Sequence, residues 1–111
     1  MSMACDELAD RIRTLLPRGV HCTEKKMFGG IAFMNSGNML VCPTKEGALI
    51  VRVGKDGMAE ALAQPGASLM DMGGRSMSGF VVLGGDAIED DDVLSGWIER
   101  AWNFVRTLPG K

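Results

Sequence analysis

His21 and Cys22 stand side by side, and an imidazole next to a thiol is the minimal equipment for thiolate chemistry. Such chemistry needs the base within hydrogen-bond reach of the sulfur, which adjacency in the chain does not provide. A linker histidine beside an ordinary thiol is the simpler reading. Cys5 and Cys42 complete a set of three cysteines with no CxxC pair, and with one histidine they fall short of the four spaced ligands of a zinc site. Met70, Met72 and Met77 could face one another across a hairpin and offer thioethers to copper(I), but core packing is the favoured reading, as for Met27, Met34, Met39 and Met58. Gly29-Gly30, Gly73-Gly74 and Gly84-Gly85 lack the helix, lysine and hydroxyl that turn a glycine pair into a phosphate cradle. Asp86, Glu89, Asp90, Asp91 and Asp92 do not alternate as calcium ligands do and read as the solvated start of a helix. Lys25 and Lys26, near Arg18, are the one compact basic cluster, too few charges for strong non-specific DNA binding. No cofactor and no metal is expected, nor any hydrolase, transferase or redox activity.

The elements that would position these residues follow from apolar spacing. Leu8, Ile12, Leu15 and Leu16 predict a helix from about Ala4 to Leu16, ended by Pro17 and Gly19. Lys25 to Met34, KKMFGGIAFM, has apolar residues in both of its alternating rows and predicts one strand covered on both faces, bent at its paired glycines. Asn35 to Asn38 (NSGN) marks a hairpin turn into a strand from Met39 to Cys42, closed by Pro43. Ala48 to Val53 predicts the next strand, with Leu49, Val51 and Val53 on one face. A short helix is expected from about Lys55 to Ala63, then a second hairpin from Ala67–Met72 to Ser76–Leu83 across Gly73-Gly74-Arg75. A last helix, from about Asp90 to Leu108, carries a wide apolar stripe centred on Leu94, Ile98, Ala101 and Val105. Trp97 and Trp102 flank that stripe about 140° apart, so one indole should sit near its edge.

The order α-β-β-β-α-β-β-α predicts an α+β fold, a two-layer domain with an antiparallel sheet of about five strands. A length of 111 residues suits one domain spanning 1–111. With 46% apolar but only 5% aromatic residues, nine methionines and no tyrosine, the core is aliphatic and methionine-filled. The formal charge of −2 gives no bulk reason to expect direct contact with nucleic acid. Charges interrupt the N-terminal stretch where a signal peptide needs an apolar run, and no stretch reaches membrane length. Reduced thiols and a cytoplasmic location, away from membranes, are the expectation.

The run KMFGGIAFMNSGNMLVCPTKEGALIVRV resembles the opening of the TfoX/Sxy N-terminal domain family. The resemblance rests on Met27-Phe28-Gly29-Gly30, on the polar turn Asn35 to Asn38, and on Ile50-Val51-Arg52-Val53 in place of an "LRV"-like triplet. The second hairpin with Met77-Ser78 and the final helix match in order and spacing, so the likeness covers nearly the whole chain. Two departures stand out. Phe80 is the one aromatic residue in a hairpin where the family usually has more, and competence regulators of this family commonly continue into a helical C-terminal domain, whereas this sequence stops at Lys111. The resemblance implies a secretion-chaperone-like fold and a non-enzymatic protein-interaction or regulatory module. It further implies control of transformation (competence) genes alongside the cyclic-AMP receptor protein.

On this reading the candidate interaction surface comprises Lys25, Lys26, Phe28, Gly29, Gly30, Trp97 and Trp102. A protein partner of unknown identity is expected, with the chain itself a monomer or weak homodimer. The alternative is a small-ligand or enzymatic domain with a pocket near Gly29, Gly30 and Cys42.

Overall fold

Helix α1 (Met3–Leu15) forms where apolar residues recur every three or four positions, and Cys5, Leu8, Ala9 and Ile12 are all buried along it. The computed structural model describes residues 3–27, 29–72 and 75–109, with the side-chain surroundings of all but 3, 4, 70–72 and 75–78.

The stretch read as one bent strand is a hairpin. Strand β1 (Thr23–Met27) pairs antiparallel with β2 (Gly30–Asn35), Met27 lying opposite Gly30. The sheet therefore has six strands where about five were expected. Gly30, where β2 begins, lies with its backbone close against the Pro43 carbonyl. Ser36 and Gly37 form the next turn with φ of 50° and 84°, the two positive values a tight two-residue hairpin loop requires. Strand β3 (Asn38–Pro43) follows and bulges, since Phe33 faces Val41 while Met34 faces Met39. The extra residue, Leu40, joins Val41 in the helix-side core.

Strand β4 (Leu49–Arg52) pairs with β3 and leads to a helix shorter than predicted, α2 (Met58–Leu62), whose N-cap is Gly57 without a side-chain hydrogen bond. Strands β5 (Ala67–Met72) and β6 (Arg75–Leu83) form the second hairpin, and its turn at Gly73-Gly74 lies outside the described residues. A 3-10 turn at Gly85–Ile88 precedes α3 (Asp91–Val105), whose start is capped by Asp90 accepting from the Asp92 N–H at 2.8 Å. The spatial order is β1-β2-β3-β4-β6-β5, antiparallel throughout.

The buried residues of the three helices join Ile31, Phe33, Val41, Leu49, Val51, Val81 and Leu83 in one core on one face of the sheet. On the other face Ala32, Met39, Cys42 and Ile50 are buried with Met27, Met34, Phe80 and Val82 around them, a smaller cluster drawn from strands alone. The α+β class with helices at both ends of an antiparallel sheet is as expected. Arg11 ties the termini of the fold together, donating to Asp91 and to the carbonyls of Ile88 and Glu89. Asn38, buried, donates to the Pro109 carbonyl at 3.0 Å. No helix among the described residues is long and apolar enough to cross a membrane.

Candidate functional site

The first hairpin gathers four of the seven residues proposed as an interaction surface. Lys25 and Lys26 lie on β1, an edge strand exposed along most of its length, opposite Ala32 and Ile31. Gly29 occupies the turn, with the aliphatic stem of Lys45 against it. Gly30 is buried, and a Cβ there would sit 1.9 Å from the Pro43 carbonyl oxygen. Phe28 lies outside the described residues.

The tryptophans are elsewhere. Trp97 is 5% exposed, its ring covered by the Arg100 guanidinium at 5.0 Å, and Arg100 bonds Glu60 on α2. That helix packs on β6 and β5, at the far side of the sheet from β1. Trp102 is half-buried against the core, so it is the indole at the stripe's edge. Lys25, Lys26, Gly29 and Gly30 thus lie together on the first hairpin, apart from Trp97.

The thiols are ordinary. Cys42 is fully buried, its Sγ 3.6 Å from the Met27 carbonyl and 3.7 Å from that of Pro43, and burial, then the neighbouring Cys5, push its pKa up to about 11. The Cys5 thiol also reaches the Pro43 carbonyl, at 3.5 Å, and its pKa is raised chiefly by burial. Burial raises Cys22 too, with Glu24 adding to it, while its neighbour His21 is exposed. A thiolate is the reactive form, so each shift works against nucleophilic use. Gly30 and the Cys42 sulfur are packed against backbone, whereas Gly29 is an exposed turn residue beside the Lys45 stem. Among the described residues no group of three His, Cys, Asp or Glu side chains converges as a metal site would require. The side chains of Met70, Met72 and Met77 lie outside the described ones.

A different arrangement is present where β4 ends. Arg52 pairs with Phe80 across the sheet, and its guanidinium lies 5.6 Å from the Phe80 ring centroid and 5.7 Å from that of Phe104 on α3. The chain then turns at Gly54, whose φ is +79° and whose missing Cβ would meet the Phe104 ring at 2.4 Å. The N–H groups of Val53 and Gly54 both donate to the Gly79 carbonyl, at 2.8 and 3.1 Å, which fixes this corner to β6. The result is an open cleft of about 490 Å³ with Phe80, Phe104 and Arg52 in its walls and Lys55 and Asp56 on its lining.

A family model for the TfoX N-terminal domain matches residues 14–105. The chain belongs to the TfoX N-terminal domain family. No curated protein and no solved structure matches it significantly. The family supports a regulatory type of module rather than a catalytic one. Within this TfoX N-terminal domain the glycine pair is the hairpin junction, and the Ile50-Val51-Arg52-Val53 run is β4 and the residue after it. Sequence reasoning missed the Arg52 cleft. Its one visible sign was a lone charge following Ile50 on the strand face opposite Leu49, Val51 and Val53.

Proposed function

We propose that this TfoX N-terminal domain is a non-enzymatic, cytoplasmic regulatory module that works by binding a protein, and that its output is the expression of transformation genes alongside the cyclic-AMP receptor protein. The observation that carries this reading is the family match over residues 14–105. The raised pKa values of the buried thiols support the absence of thiol chemistry. The packing of Gly30 against Pro43 weighs against a ligand pocket in that region.

The docking surface proposed is the β1 edge, where Lys25 and Lys26 stand exposed. Lysines on an edge strand discourage unspecific strand pairing and leave a positive strip suited to an acidic partner. In a source strain from which the gene is deleted, transcripts of DNA-uptake genes should fall several-fold. Restoring the wild-type chain should recover them, and a K25E/K26E chain present at the same level should not. Unchanged transcripts in the deletion strain would refute the regulatory role, whereas full rescue by K25E/K26E would refute only the surface.

A further inference from the structure

Arg52 is the charged side chain whose surroundings the fold leaves unexplained. The other arginines with described contacts in the helices are engaged: Arg11 with Asp91 and two carbonyls, Arg13 with Glu24 and Asp10, Arg100 with Glu60. Arg52 is half-buried, and its contacts among the described residues are two ring faces. A ring face stabilises a cation, but it takes up none of the five guanidinium N–H donors as a carboxylate would. Asp56 lines the same cleft and forms no ion pair with it within 4.0 Å. The guanidinium therefore lies against Phe80 and Phe104, with no hydrogen-bond partner among the described residues.

We propose that this cleft is a receptor for a monocarboxylate carrying an apolar body. Three observations set the class. The volume, about 490 Å³, is that of a small-molecule site. The unspent fork of Arg52 matches the two oxygens of a carboxylate. Among the described lining residues Arg52 and Lys55 against Asp56 leave one net positive charge, which suits a monoanion. The walls of Phe80 and Phe104 then take up the apolar body. The carboxylate can belong to a free small acid or to the C-terminus of a polypeptide, since both present the same group. This site is separate from the β1 edge and does not depend on the regulatory reading.

The test uses the whole chain and phenylacetate as probe, followed by the amide signals of Gly54, Lys55 and Phe80 and the side-chain Nε–H of Arg52. Saturable shifts confined to these groups are expected, with a Kd of about 1 mM or tighter. Affinity should fall at least tenfold in R52M and by less in R52K, which keeps the charge but loses the fork. The neutral analogue 2-phenylethanol and inorganic phosphate should leave the signals unmoved. Shifts that do not saturate, or equal binding of either control, would overturn the proposal, and both readings need only the wild-type chain. A short peptide ending in phenylalanine separates the two sources. Binding more than tenfold tighter than phenylacetate assigns the site to a polypeptide C-terminus, and comparable or weaker binding assigns it to a free acid. Equal binding of the peptide and its C-terminal amide would overturn the carboxylate reading altogether.

Discussion

Gly30 and Gly54 are both places where a side chain does not fit, yet one closes the molecule and the other opens it. At Gly30 the neighbour is backbone, the Pro43 carbonyl, which also receives the thiols of Cys5 and Cys42. Nothing at that junction can swing aside. At Gly54 the neighbour is the ring of Phe104, a side chain, and the same economy of space lets the ring lie beside Arg52 at the mouth of a cleft. A glycine pressed by main chain makes a rigid weld. One pressed by an aromatic ring makes a wall that a ligand can use.

The strongest way to break this contrast is G30A. Its Cβ cannot be accommodated without moving two strands apart, and a loss of about 3 kcal/mol is expected in urea melts. A loss below about 1 kcal/mol would show that the junction yields. G54A should cost about 2 kcal/mol, part from its positive φ and part from the ring. In an F104A background the ring's share disappears, so the second substitution should cost about 1 kcal/mol, a coupling a double-mutant cycle measures directly.

Thiol reactivity sharpens the comparison without perturbing the fold. Half-buried Cys22 should react first with an aromatic disulfide reagent at mildly alkaline pH, and Cys5 and Cys42 only as fast as the closed junction opens. Simultaneous labelling of all three would mean the junction breathes freely. The smallest effect concerns the clasp of α1 on β1, where Arg13 hydrogen-bonds Glu24 at 2.8 and 2.6 Å. That hydrogen bond, followed by the charge of Arg13, holds Glu24 below its ordinary pKa, against the opposing effect of desolvation. A carboxylate lowered on folding stabilises above its unfolded pKa, near about 4.3, and the contribution is lost as pH falls through the folded value. E24Q should therefore lower the melting temperature slightly at pH 7, by the equivalent of about 0.5 kcal/mol given solvent screening, and match the wild type under strongly acid conditions.

Much of the fold was legible because its signals are local. The stripe of α3, the acidic cap at Asp90 and the turn at Ser36-Gly37 each lie within a few residues of chain. The first hairpin was not, because the sequence between Met27 and Gly30 lacks the Asn-Gly signal of a tight turn, and the apolar residues on both sides imitate one continuous strand. The bend expected at the paired glycines is a full reversal, and the close approach of Gly30 to Pro43 is set by the pairing of β2 with β3. The cleft was hidden for a related reason. Arg52, Phe80 and Phe104 are spread over half the chain, and they meet because β4 pairs with β6 rather than with β5 and because α3 returns over the sheet's end. Lys25 and Lys26 lie exposed on β1, whereas Trp97 stands with Arg100 beside α2, toward the opposite edge of the sheet.

The strand order also has a consequence in time. β1 to β4 form a meander whose pairings close short loops, and β5 with β6 forms a second hairpin of the same kind, so both halves can assemble from neighbouring residues. The β4–β6 pairing, Leu49 to Leu83 through Arg52 to Phe80, is the one that must wait for distant segments to meet. The closure that completes the sheet is therefore also the step that creates the corner holding Arg52. Weakening Val51 or Val81, which face each other in that pairing, should slow refolding, while changes on β1 should chiefly hasten unfolding.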